Sequence, residues 1–130
     1  AGATNNATTN QDRTFYYEIM PSNQLELSLW LESERLLHAK IDDKGIETQR
    51  EVVKEEKRQR NDNQPYGSIL DEMMKRVYTK HPYRWTPIGS LDHLNAASKE
   101  EFIAFYKKYY VPNNAILSIA GDLDIENTKN

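Results

Sequence analysis

The feature that most constrains this chain is the wide spacing of its two strand-like runs. Thr14-Phe15-Tyr16-Tyr17-Glu18-Ile19-Met20 is β-branched and aromatic, and Ala115-Ile116-Leu117-Ser118-Ile119-Ala120 is short and apolar. Both compositions suit strands, the second a buried one. Pro21 ends the first run and Gly121-Asp122 the second. Residues 1–13 are small and polar and read as a loop or an exposed strand. Almost everything between the two runs is helical in pattern. Two strands by themselves make an unstable sheet, so the remaining strands are expected outside this segment or in a partner chain. Helices inserted between strands place the chain in the α+β class, with helices layered on an antiparallel or mixed sheet.

Ser22 or Asn23 can cap a helix running to about Ala39, with Leu25, Leu29, Leu36 and Leu37 on one face and Trp30 beside them. Asp42-Asp43-Lys44-Gly45 reads as a turn. A highly charged helix follows from about Ile46 to Arg60 and is broken by Asn61-Asp62-Asn63-Gln64-Pro65-Tyr66-Gly67. Ile69, Met73 and Val77 mark a third helix. The stretch from Tyr78 to Ser90 is rich in Pro, Gly and aromatics and reads as an ordered loop, in which Tyr83, Arg84 and Trp85 either pack on the core or bind a ligand. Ser98-Lys99-Glu100-Glu101 is a capping box. It opens a fourth helix with Phe102, Phe105, Tyr106 and Tyr109 on one face, stopped before Pro112.

A chain of 130 residues suits one modest domain. Its net charge of −3 and the Glu55-Glu56 pair inside the basic run Lys54 to Arg60 argue against a nucleic-acid footprint, and for a solvated helix face. The lack of cysteine excludes disulfides and thiol chemistry. No apolar run reaches membrane-spanning length, so the segment carries no membrane span. His38, His81 and His93 are too scattered to make a zinc site of their own, and no Gly-x-Ser-x-Gly elbow or phosphate-binding Gly-rich loop occurs. The opening without Met and the abrupt end suggest a segment of a longer protein. The compartment is undetermined, and a periplasmic or membrane-associated bacterial location is compatible with the sequence.

One carboxylate stands out on the charged helix. Glu56 is four residues after Val52 and three after Val53, so it projects from the apolar side. Glu55, its neighbour, points about 100° away. Gln49, seven residues before Glu56, shares the stripe. An ionised Glu turned toward a core needs a cation, a donor network or a metal, and few partners are evident in the sequence. A partly buried Glu paired with an Arg is the structural alternative.

Several segments in order resemble the pitrilysin/insulinase-type zinc metallopeptidases (M16, the inverted zincins), nearest to their bacterial and processing-peptidase-like branch. Gly2-Ala3, Asn6-Ala7-x-Thr9 and Asp12-x-Thr14-x-Tyr16-Tyr17 resemble that family's edge strand. Leu29-x-Leu31-Glu32-x-x-x-Arg35-Leu36 resembles its next helix, and Gln49-Arg50-Glu51-Val52-Val53-x-Glu55-Glu56 the segment of its third zinc ligand. Asn61-Asp62-Asn63-x-Pro65-Tyr66-Gly67, Pro87-Ile88-Gly89-Ser90-x-x-x-Leu94 and Tyr109-Tyr110-Val111-Pro112-Asn113-Asn114-Ala115 continue the match.

The resemblance implies a partial lobe of the M16 metallopeptidase-like (LuxS/MPP-like) fold, with residues 1–130 as the C-terminal portion of one lobe. It implies one zinc ion in the full-length protein, held by two histidines of an upstream His-x-x-Glu-His and by a downstream Glu, which here is Glu56. The Glu of that motif serves as general base. Asn6 and Ala7, with Thr8 beside them, match the place where a peptide substrate adds a strand. The family usually has Glu seven residues before its third ligand; this chain has Gln49, which can still orient a ligand by hydrogen bonding. His-x-x-Glu-His is absent from the segment. The segment therefore holds no catalytic residue of its own, is expected to be inactive and not to bind zinc alone, and would work with a second lobe or a partner subunit. Two other readings remain: a non-catalytic scaffold or regulatory lobe of the same fold, and a helical protein-interaction module unrelated to proteolysis.

Overall fold

In the computed structural model, residues 2–129 are described. Two strands, β1 (Thr4–Thr9) and β2 (Thr14–Ile19), pair as an antiparallel hairpin. Six α-helices follow among the described residues: α1 (Leu25–Leu37), α2 (Asp43–Lys57), α3 (Ile69–Val77), α4 (Leu91–Ala96), α5 (Lys99–Tyr109) and α6 (Ile125–Lys129). Helices with a small antiparallel sheet bear out the α+β class. The chain divides into two compact units.

The first unit takes in residues 2–7, 16–40 and 104–129. Its centre is a set of tyrosines against α1. The Tyr16 and Tyr110 hydroxyls lie 2.6 Å apart. Tyr106 Oη donates to the Arg35 carbonyl at 2.8 Å and accepts from the Ala39 amide at 3.2 Å. The Arg35 guanidinium sits 4.2 Å from the Tyr16 ring centre and grips Glu32 with two nitrogens. Burial, helped by the Tyr110 hydroxyl, pushes the Tyr16 hydroxyl up to about 12.

The second unit takes in residues 8–15 and 41–103. Asp42 is the N-cap of α2, its Oδ1 accepting from the Gly45 amide at 2.8 Å, so the expected turn at residues 42–45 is instead the first turn of the helix. The α-helix stops at Lys57 and continues as a π turn, Arg58–Asp62. Gly67 packs there so closely that a Cβ would lie 1.9 Å from the Asn61 carbonyl oxygen, which explains the glycine in that loop. The capping box before α5 forms as expected: Glu101 N donates to Ser98 Oγ and Ser98 N to Glu101 Oε2. The sequence reading missed α4, a short helix capped by Ser90, whose Oγ accepts from the His93 amide at 3.1 Å.

Residues 115–120 do not form the expected buried strand. Ile116 is 98% exposed and the segment has no ladder partner among the described residues. A strand exists only where a neighbour takes its backbone hydrogen bonds, and composition alone supplies none. More broadly, no hydrophobic side chain among the described residues is fully buried. Ile69, Leu70, Met73 and Val77 leave α3 with an open apolar face, the kind of surface that packs against further protein.

Candidate functional site

The candidate ligand lies on α2, and its surroundings differ from the inward stripe that periodicity suggested. Val52 is 52% exposed, so this face of α2 is not covered by any described residue. Glu56 is half-buried, its side chain 37% exposed, and Oε1 meets Arg60 Nη1 at 2.8 Å. The partner that sequence reasoning did not single out is therefore Arg60, four residues on; the i,i+4 spacing was the signal. Glu51, Val52, Glu55, Glu56, Gln59 and Arg60 line a shallow groove along the helix. Gln49 is exposed and two turns earlier, about 10.5 Å along the axis.

The opposite side of α2 is tied down. Arg50 is the single buried residue of this helix, 9% exposed. Its Nη2 donates to the Ala97 carbonyl at 3.1 Å and its Nε meets Glu47 at 3.3 Å. Lys57 Nζ, well shielded, lies 4.0 Å from Asp71 of α3, and Thr86 Oγ1 donates to the same carboxylate at 2.6 Å. Thus Glu56 projects from a helix fixed from behind, and the side that carries it is open.

Asn6, Ala7 and Thr8 lie on β1, exposed along its whole length. β1 pairs only with β2 among the described residues, so its other edge has main-chain groups free for an added strand. Asn6 Oδ1 accepts from the Ala7 amide at 2.8 Å. At the hairpin tip, Asn10 Oδ1 accepts from the Asp12 and Arg13 amides, which sets the turn.

The aromatic loop packs largely on itself and on that tip. The Tyr83 hydroxyl donates to Asp12, a contact that raises its pKa above the usual tyrosine value. Tyr83 also meets the rings of His81 and Tyr78 edge-on at 4.4 and 5.6 Å. Trp85 remains half-exposed under the Arg84 guanidinium.

Glu56 offers a carboxylate oxygen of the right chemistry for zinc on an open face. Among the described residues no three His, Cys, Asp or Glu side chains converge. The residues present fit one ligand position, and any others would come from outside them. No helix among the described residues is long and apolar enough to cross a membrane.

Comparison with known proteins places the chain in a family. Residues 1–89 match the family described as Insulinase (Peptidase family M16), and residues 96–130 match the Peptidase M16 inactive domain. The zinc protease PqqE of Helicobacter pylori is 34% identical over 95% of this chain. A probable mitochondrial-processing peptidase subunit beta from Schizosaccharomyces pombe is 24% identical over 96% of it. The crystal structure of a protease from Helicobacter pylori superimposes with a TM-score of 0.93 at 33% identity, covering 98% of this chain and 31% of that one. The chain spans 28% of the length of the PqqE relative. With a family match over most of its length, the chain belongs to the insulinase family of peptidases, M16.

Proposed function

We propose that this chain is the C-terminal portion of one lobe of a zinc-dependent metalloendopeptidase, and that within it Glu56 is the third zinc ligand. The observation that carries the reading is the placement of Glu56: a half-buried carboxylate on the open face of a helix anchored from behind. Membership in the family, and relatives named as zinc proteases, support it. A coordinating carboxylate must be held in a fixed direction, and the Arg50 and Lys57 contacts limit rotation of α2. When bound, zinc supplies Lewis-acid chemistry at the scissile peptide bond. The His-x-x-Glu-His of the family would lie upstream in the longer protein and supply the other two ligands and the general base.

The remaining roles belong to this chain's own residues. Gln49 shares the Glu56 face but is two turns away, so it would act through an intervening ligand side chain by hydrogen bonding. Asn6, Ala7 and Thr8 would take the backbone of an extended peptide substrate along the free edge of β1, main-chain bonds giving affinity and side-chain pockets specificity. The open apolar faces of α1 and α3 would pack against the rest of the lobe, a second lobe or a partner subunit.

The test is Glu56→Gln in the full-length protein, with bound zinc measured by elemental analysis after dialysis and cleavage of an unstructured peptide measured alongside. Glutamine keeps the shape and removes the anionic oxygen. Zinc content near one per chain falls below about a tenth and cleavage is lost, since removing one of three protein ligands costs at least the 10–100-fold seen for weaker outer-shell changes. A variant that retains both its zinc and its activity rules the assignment out.

A second reading, a non-catalytic lobe of the same fold, is favoured by the match of residues 96–130 to the M16 inactive domain. Metal-free full-length protein that neither takes up zinc nor cleaves peptide would decide for it. Family membership replaces the reading of an unrelated helical interaction module.

A further inference from the structure

Arg60 has no part in the reading just given, yet it holds one oxygen of the carboxylate that matters most to it. Its Nη1 lies 2.8 Å from Glu56 Oε1. Both side chains line the same groove, beside Val52 and Gln59. Arg60 is 75% exposed, so its guanidinium has room to reorient, and Glu56 is held more closely. A guanidinium and a divalent cation at one carboxylate oxygen repel each other at short range. The two compete for that carboxylate.

We infer that Arg60 is a displaceable counter-ion for Glu56: it satisfies the carboxylate in the metal-free protein and turns to solvent when zinc takes its place. This rests on Glu56 being the ligand. The half-buried carboxylate then has a charged partner in either state, which avoids the cost of leaving it shielded and unpaired. The exchange also requires that the displaced partner be weakly held. An exposed i,i+4 ion pair meets that requirement, because side-chain entropy and solvent screening leave it worth only a few tenths of a kcal/mol, about a twofold effect on an equilibrium. A buried guanidinium such as Arg50 could not be moved so cheaply.

The experiment uses the full-length protein stripped of metal by a chelator and titrated with Zn²⁺ against a chromophoric competitor, so that Kd rather than turnover is read. Arg60→Gln, which keeps length and removes charge, binds zinc about twofold more tightly than wild type. Arg60→Lys, which keeps the charge, stays near wild type. Adding Arg60→Gln to Glu56→Gln gives no further tightening. If Arg60→Gln binds zinc equally or more weakly while Glu56→Gln weakens binding, the counter-ion role is refuted and the ligand reading stands. If Glu56→Gln binds zinc as wild type does, the ligand reading fails and this inference with it. Circular dichroism of each variant checks folding, and Arg60→Met is a second neutral replacement should Arg60→Gln fold poorly.

Discussion

The N-terminal half of α2 and the π turn that follows its C-terminus put the same kind of residue to opposite uses. In the N-terminal half, Arg50 is buried and bonded to the Ala97 carbonyl, and Asp42 and Asp43 tie the helix start to Gly45 and Lys99. In the π turn, Arg60 lies out in solvent on the side that also exposes Val52 and Glu56 of α2. Ten residues apart, one arginine is structural and the other is free to move. The difference teaches that a candidate ligand needs both a rigid support and an uncovered face, and that α2 separates the two along its length and around its circumference. Lys57, adjacent to Glu56 and therefore about 100° away, shows the second separation by reaching Asp71 on the covered side.

The sharpest way to break this comparison is Gly67→Ala. A methyl at that position would meet the Asn61 carbonyl oxygen at 1.9 Å, a contact with backbone that no rotamer change relieves. The π turn after Lys57 must shift, at about 3 kcal/mol or more. Thermal unfolding of the longer protein should show a clearly lowered midpoint, and zinc affinity should fall as well, because the displaced segment ends the helix that carries and aims Glu56. A Gly67→Ala protein with wild-type midpoint and wild-type zinc affinity would mean that the end of α2 is not held as described.

Arg50→Ala tests the anchored half. It removes a buried guanidinium and leaves the Ala97 carbonyl without that donor, a loss of about 1–3 kcal/mol. The comparison expects a lowered unfolding midpoint with a smaller change in zinc affinity than Gly67→Ala produces. The reverse ranking would show that the anchor, rather than the π turn, sets the direction of Glu56. Asp42→Ala removes the N-cap bond to Gly45 and should cost about 1 kcal/mol with no change in zinc affinity. A midpoint unchanged by that substitution would mean the cap is redundant.

How much of this was legible beforehand follows the same physical division. Local signals were read well: the β-branched run of β2, the apolar spacing of α1 and α3, and the Ser98 to Glu101 capping box all depend on neighbours a few residues apart. The segment Ala115–Ala120 was misread because its composition specifies a strand, but only a ladder partner makes one, and Ile116 stands almost fully exposed. Helix α4 was missed because six residues between Gly89 and Ser98 give periodicity too little length to register; the Ser90 cap was its one signal. On α2, periodicity put Val52 and Glu56 on one face correctly. It could not say whether that face was covered, and the apolar residues argued for a core that no described residue supplies. Arg50 was overlooked as a buried group because its guanidinium reaches the Ala97 carbonyl, 47 residues away, a contact that sequence separation hides.

The smallest expected effect comes from the link between the start of α2 and the start of α5. Lys99 Nζ meets Asp43 Oδ2 at 2.9 Å, and that hydrogen bond raises the Lys99 pKa above its ordinary value of 10.5. A raised pKa in the folded state means that folding favours the protonated amine. The stabilisation is therefore fully present below the unfolded-state value of 10.5 and is lost as pH rises through the folded-state value. Asp43 is solvent-exposed and Lys99 partly so, so the effect is slight and is further screened by salt. Wild type and Lys99→Met should differ in unfolding midpoint by a small amount near pH 8 at low salt, and the difference should close as pH passes above the lysine range. A difference that persists at high pH would assign the contribution of Lys99 to its methylene stem instead of its charge. The first turn of α2 would then be held by packing, and the contrast between α2 and the π turn after it would rest on burial alone.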